Sequence, residues 1–234
     1  MGYCKVTDYD FVEIGTADFE SLAQQYPDAK GMSVEPIKMY LDRLPDRPNI
    51  TKVNAAIVTE ASYEMSPEVS VFYIKEDVIR QYNLGEWMKG CNSVGKPHDF
   101  HTGYYHDAGV WHDTPDRSVL KTRNLLFEGI VTSALVPSIT WKLLMLVHNI
   151  EHINVLKTDT EGMDAVLLKD ILNFYWQFHR MGDLPKLIHF EDNAHTNKND
   201  MVSTKEMLVQ FGYDVDDSHK RGHDSYATLK EVTA

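Results

Sequence analysis

The sequence is poor in cysteine, in clustered basic residues and in long apolar runs, and each shortage removes a class of protein. Two cysteines, Cys4 and Cys91, in a chain of 234 residues are too few for a disulfide framework and suit a reducing compartment, so a cytoplasmic setting is the default expectation. The 23 Lys and Arg are outnumbered by 35 Asp and Glu, leaving a net charge of −12. Nucleic acid is disfavoured as a partner, because phosphates are held by clustered cations. The longest apolar stretch, around Leu143 to Val147, falls far short of the roughly 20 residues that a bilayer-spanning helix needs. No charged segment followed by an apolar run opens the chain. With 43% hydrophobic and 25% charged residues, the composition is that of an ordinary globular chain. Its length suits one α/β domain over residues 1–234.

What is present is a set of apolar runs that end in acids. Leu156-Lys157-Thr158-Asp159-Thr160-Glu161-Gly162 is one, and Leu187-Ile188-His189-Phe190-Glu191-Asp192-Asn193 is a second. Near the N-terminus Asp10-Phe11-Val12-Glu13-Ile14-Gly15 ends in an acid and a glycine, and Gly31-Met32-Ser33-Val34-Glu35-Pro36 ends in another acid. Ligands of open α/β sheets bind outside the carboxyl ends of the strands. Acids at several strand ends therefore point to an enzyme site rather than to packing.

The order of elements supports such a sheet. Strands are expected at Asp10–Ile14, Gly31–Glu35, Ile50–Val58, Val69–Ile74, Ile153–Asp159 and Lys186–Phe190, with one or two more within Leu120–Val136, ended by Pro137. Helices are expected at Asp18–Tyr26, Ile37–Leu44, Thr140–Asn149, Met163–Arg180 and Ser203–Phe211. Strands alternating with helices imply βαβ units and a mostly parallel sheet. The turn-like Arg221-Gly222-His223-Asp224 joins two last strands, Tyr213–Lys220 and Ser225–Lys230, into an antiparallel hairpin. Lys75–Arg117 breaks the pattern. It has no sustained period and carries Trp87, Tyr104, Tyr105, Trp111 and four histidines (His98, His101, His106, His112). Long segments of that kind are commonly lids or binding loops, and this one is expected to cover the sheet edge and recognise the substrate. Its aromatics can stack on a sugar ring, or simply anchor the loop as an apolar patch.

A nucleotide-containing ligand is expected because Glu35 ends the second strand about twenty residues after the first strand's turn, where an acid accepts ribose hydroxyls. The turn itself, Gly15-Thr16-Ala17-Asp18-Phe19, has one glycine and an added acid. A dinucleotide needs G-x-G-x-x-G for its pyrophosphate, and Asp18 would repel phosphate. S-adenosylmethionine has no phosphate and carries a sulfonium and an ammonium, which suit Glu13, Asp18 and Asp159. Gly15, Thr16, Ala17, Glu35, Pro36, Asn54 and Ala55 complete the expected cofactor contacts. Asn54 would face the adenine edge, or else only satisfy backbone at its strand end.

Val12-Glu13-Ile14-Gly15, Val34-Glu35-Pro36, Val136-Pro137-Ser138-Ile139-Thr140, the Lys157-x-Asp159-x-Glu161-Gly162 block and Ile188-His189-Phe190-Glu191 together resemble the FkbM-type S-adenosylmethionine-dependent methyltransferase family over nearly the whole chain. The family usually has glycine where Phe19 stands, and often aspartate where Glu13 stands. The resemblance implies a class I methyltransferase fold, Rossmann-like, with seven strands of which the last is antiparallel. It also implies O-methylation of hydroxyls on sugars or secondary metabolites. Many methyltransferases of this fold carry N-terminal helices over the cleft. The short lead before the first strand raises the expectation of one domain from a longer polypeptide, with a glycosyltransferase fused or associated to supply the acceptor.

Methyl transfer to a hydroxyl is an in-line displacement that needs the hydroxyl aligned and its proton removed. Asp159, Glu161 and then His195 are the candidate bases. Asp159, Glu191 and Asp192 are hard oxygen donors suited to Mg²⁺ or Mn²⁺, which lower the pKa of a bound hydroxyl. The alternative is that Glu161 caps a helix, Glu191 pairs with a lysine and no metal binds. His189, in mid-strand, is expected to be core. The rival functions are O-methylation of a polyketide or other secondary metabolite, and a non-catalytic module that binds S-adenosylmethionine.

Overall fold

The computed structural model describes residues 7–17, 21–84, 86–97, 101, 128–192, 197–216 and 224–230. Two compact units divide the chain: residues 1–68 with 137–234, and Val69–Val136. In chain order the elements are β1 (Thr7–Ile14), α1 (Leu22–Gln25), β2 (Gly31–Val34), α2 (Lys38–Arg43), β3 (Ile50–Val53), β4 (Ala56–Val58), α3 (Glu60–Met65), β5 (Glu68–Tyr73), α4 (Glu76–Gln81) and β6 (Ser93–Val94). They continue with β7 (Thr132–Thr140), α5 (Trp141–Val147), β8 (Ile150–Thr158), α6 (Asp164–Gln177), β9 (Leu187–Glu191), α7 (Lys198–Gln210), β10 (Tyr213–Asp216) and β11 (Asp224–Leu229).

The first unit is built on a seven-stranded sheet ordered β10-β11-β9-β8-β1-β2-β3. β11 pairs antiparallel with both β9 and β10, while the remaining neighbours pair parallel. The expected mostly parallel sheet with an antiparallel C-terminal hairpin is therefore present. Alternation along the strands separates two faces. Val12, Met32, Val34, Leu156, Ile188 and Phe190 lie in the main core with Leu144 of α5, Leu168 and Tyr175 of α6 and Leu208 of α7, all buried. Full burial of one such side chain contributes about 1.5–3 kcal/mol, so this face dominates the unit's stability. On the other face Phe11, Leu22, Ala23 and Ile50 form a smaller cluster. Gly31 is required there, because a Cβ would come within 1.9 Å of the Phe11 ring.

Helix starts follow side-chain caps. Ser21 and Gln24 form a reciprocal capping box on α1, Thr140 accepts from Leu143 N–H on α5, and Asn197 accepts from Asn199 and Asp200 on α7. Each satisfies N–H groups that a helix start leaves open.

The run Ile50–Val58, expected as one strand, is two: β3 and β4 are separated by Asn54 and Ala55, and β4 pairs with β7 instead of the main sheet. Pro137 does not end a strand either. β7 passes through it and pairs in parallel at Ser138–Thr140 with β4, which proline tolerates where no ladder donor is needed.

The second unit contains much of the segment expected to be irregular. There β5 and β6 pair antiparallel, with Val71 opposite Val94. Ile74, Ile79, Met88, Cys91 and Ile130 form a small buried core, and His101 is buried. His98, Tyr104, Tyr105, His106, Trp111 and His112 lie outside the described residues.

Candidate functional site

The strand order reverses at β1. The chain runs from β1 outward to β2 and β3, then returns to β8 on β1's other side and continues to β9. A crevice outside the carboxyl ends of β1 and β8 is thus the topological switch point where open α/β sheets bind ligands.

Gly15 forms the floor of this crevice. Its φ is +77°, and a Cβ would stand 1.9 Å from the backbone oxygen of Asp159. Two ladder-like bonds fix the approach: Gly15 N–H donates to Val34 O and Asp159 N–H to Ile14 O, both at 3.0 Å. Past Gly15, Thr16 is buried and Ala17 adopts φ +42°. Ala17 N–H donates to Glu35 Oε2 at 2.9 Å, and Ile37 N–H donates to Glu35 Oε1 at 2.8 Å. Glu35 therefore ties the loop after β1 to the end of β2. Asn54 donates to the carbonyls of Glu35 and Pro36, both at 2.9 Å, so its amide nitrogen satisfies backbone at the strand end. Ala55 is buried beside it.

Glu13 faces inward rather than to the crevice. It is fully buried; Lys157 Nζ donates to its Oε1 at 3.0 Å and Leu22 N–H to its Oε2 at 2.9 Å. Burial pushes the Glu13 carboxyl up despite Lys157, while Glu13 and Asp159 hold the Lys157 ammonium up despite its own burial. Since both charges are inside and hydrogen-bonded, this is a buried ion pair.

The acids after β8 and β9 converge. Carboxylate oxygens of Asp159, Glu161 and Glu191 lie within 4.8 Å of one another. The turn that brings Glu161 in is left-handed at two successive residues, Glu161 at φ +52° and Gly162 at φ +98°. Asp164, at the start of α6, holds that turn by accepting from Thr160 N–H at 3.1 Å and Thr160 Oγ1 at 2.8 Å. Burial, with repulsion from Asp164 and Glu161, pushes Asp159 up to about 7. Burial and Asp164 push Glu161 up to about 8. Glu191 is raised well above its ordinary value by burial and by the other three acids.

Asp192, expected among the metal donors, points elsewhere. It accepts from Lys205 Nζ at 2.6 Å and Ser225 Oγ at 3.2 Å, and Glu161 takes its place in the cluster. Side chains alternate along a strand, so the residue after Glu191 turns to the opposite face. His189 is not core: it is half-buried, stacks on Tyr226 at 4.4 Å and lies 3.1 Å from Asp224. Asp164 and Lys157 received no role from the sequence, although an acid opening a helix just past Gly162 is a readable signal. Asp18, Phe19 and His195 lie outside the described residues.

No family model, curated protein or solved structure matches this chain.

Proposed function

We propose that this chain is an S-adenosylmethionine-dependent O-methyltransferase acting on a hydroxyl of a sugar or glycan. One observation carries the reading: at the switch point, the Gly15 turn packs on the Asp159 carbonyl, with Glu35 at the end of the neighbouring strand. This floor has one glycine, and acids surround it, which suits a cationic, phosphate-free nucleoside. The antiparallel β11 beside parallel strands agrees with the class I fold that the sequence resemblance implies. The acceptor class rests on that resemblance.

When bound, S-adenosylmethionine supplies the electrophilic methyl group. The remaining chemistry falls to the chain's own residues. Glu35, at the end of β2 beside the Gly15 loop, would accept the hydroxyls of a ribose diol. Asp159 and Glu161, pushed up to about 7 and about 8, exchange a proton near neutral pH, where a general base is most effective. Asp159, Glu161 and Glu191 also form a hard-oxygen set that fits Mg²⁺ or Mn²⁺, and such an ion would acidify an acceptor hydroxyl. The fit is of donor type and spacing, with three protein oxygens leaving room for water and acceptor.

Methyl-labelled S-adenosylmethionine incubated with a panel of saccharides tests the reading. Methylated saccharide is expected from the native protein, and Glu161→Gln is expected to retain cofactor binding with turnover lost. Methylation of polyketide hydroxyls alone would move the acceptor class. Cofactor binding without transfer to any acceptor would favour a binding module.

A further inference from the structure

Beside α6 the first unit holds a cavity of about 290 Å³. Its long wall is α6. Asp170, Asn173 and Gln177 recur at spacings of three and four and so share one helix face. With about 1.5 Å of rise per residue, this wall runs away from Asp164 and the acid cluster, and Phe178 lies roughly 20 Å beyond it. Glu60 of α3, Trp141 and Lys142 of α5, and Phe174 of α6 complete the lining.

The lining has mixed chemistry. Glu60 N–H donates to Asp170 Oδ2 at 3.3 Å. The Oε1 of Glu60 is buried, and among the described residues no donor reaches it. Phe178 is 48% exposed at the rim; its ring packs against Phe174 at 5.0 Å between centroids, and Lys142 Nζ lies 5.3 Å from its centroid. The acids Glu60 and Asp170, amides that give and take hydrogen bonds, and the half-exposed Phe178 line one small space.

We propose that this cavity is a saccharide-binding site, separate from the strand-end crevice, which takes one neutral sugar ring against Phe178 with its hydroxyls on Glu60, Asp170, Asn173 and Gln177. Three features select that ligand. An anion is repelled by Glu60 and Asp170. A cation meets the ammonium of Lys142, which already occupies the ring's electron-rich neighbourhood. A neutral polyol uses donors and acceptors together and presents an apolar face to an aromatic ring. The volume is at the lower end of small-ligand clefts and suits a single ring. The site goes beyond the proposed methyl transfer and would serve to hold a glycan chain or a free sugar.

Saturation-transfer NMR and calorimetry on the full chain test this, with glucose, galactose, mannose, N-acetylglucosamine and short oligomers of each as probes. At least one is expected to bind, and Phe178→Ala and Asn173→Ala, both at exposed positions, are expected to weaken it tenfold or more, Asn173→Ala without altering the melting temperature. Asp159→Asn should leave that affinity unchanged. Tighter binding of oligomers than of single sugars would identify a glycan chain as the ligand; equal binding would identify the free sugar. Absence of saccharide binding while S-adenosylmethionine still binds would overturn this site and spare only the cofactor-binding part of the methyltransferase reading. Saccharide binding that Asp159→Asn abolishes and Phe178→Ala spares would also overturn it, by locating the sugar at the strand ends.

Discussion

At the scale of single residues, Gly15 has the sharpest requirement. Left-handed backbone costs a residue with a Cβ about 1–2 kcal/mol, and the atom it would meet is backbone oxygen at 1.9 Å, which cannot swing aside. Gly15→Ala should therefore lose more than about 2 kcal/mol in urea denaturation. Gly182→Ala, where a Cβ meets nothing within 4 Å, should stay within about 0.5 kcal/mol. Equal stability of the two variants would remove the close approach from the account. The Glu13–Lys157 pair makes a second prediction. Glu13→Leu strands a buried ammonium and should cost about 3–5 kcal/mol, whereas adding Lys157→Met should restore most of it. Additive losses in the double variant would show that the two charges do not depend on each other. Residue identity was legible for Gly15 and Glu35, because an acid or glycine directly after an apolar run has few structural reasons to be there. Which way each acid faces was not. Asp192 and Glu191 are adjacent, and only the strand's period decides that one meets Lys205 while the other meets Asp159.

At the scale of elements, the turn from β8 to α6 concentrates the chemistry and sets a pH dependence. Asp159, Glu161, Asp164 and Glu191 all have folded pKa values raised above their ordinary ones. The native state then binds more protons than the unfolded chain between the usual carboxylate range and about 8, so stability falls as pH rises through that window. Melting temperatures measured from pH 5 to pH 8.5 should decline, and Asp159→Asn with Glu161→Gln should flatten the decline. A slope unchanged by the pair would mean that these acids do not carry it. Mg²⁺ or Mn²⁺ favours the ionised acids, so it should raise the melting temperature at pH 8 in the native protein and not in the double variant. Elements with strong patterns were readable: β1, β2, β8 and β9 are apolar runs with clear ends, and α6 has a sustained helical period. The break at Asn54–Ala55 was hidden because apolar residues lie on both sides of it. Pro137 misled because proline usually ends a strand, whereas here the backbone donor at that position is not needed. Helix α7 begins at Lys198, five residues before the sequence suggested, since its first turn is polar and is started by the Asn197 cap rather than by an apolar face.

At the scale of the whole chain, a sheet that reverses its strand order at β1 supplies the switch point, and acids surround it. The sequence pattern conveyed the alternation of strands and helices. It did not convey the second unit, whose small core of Ile74, Ile79, Met88, Cys91 and Ile130 is scattered among polar residues without a period. The central claim is that the crevice holds S-adenosylmethionine with its ribose on Glu35. Calorimetric titration of the native protein and of Glu35→Ala with S-adenosylmethionine, and of the native protein with NAD, tests it most directly. The account predicts saturable binding of S-adenosylmethionine, weakened by about 1.5–3 kcal/mol in Glu35→Ala as hydrogen bonds to a charged group are lost, and no binding of NAD. Binding of NAD in preference to S-adenosylmethionine, or an affinity for S-adenosylmethionine that Glu35→Ala leaves unchanged, would contradict it.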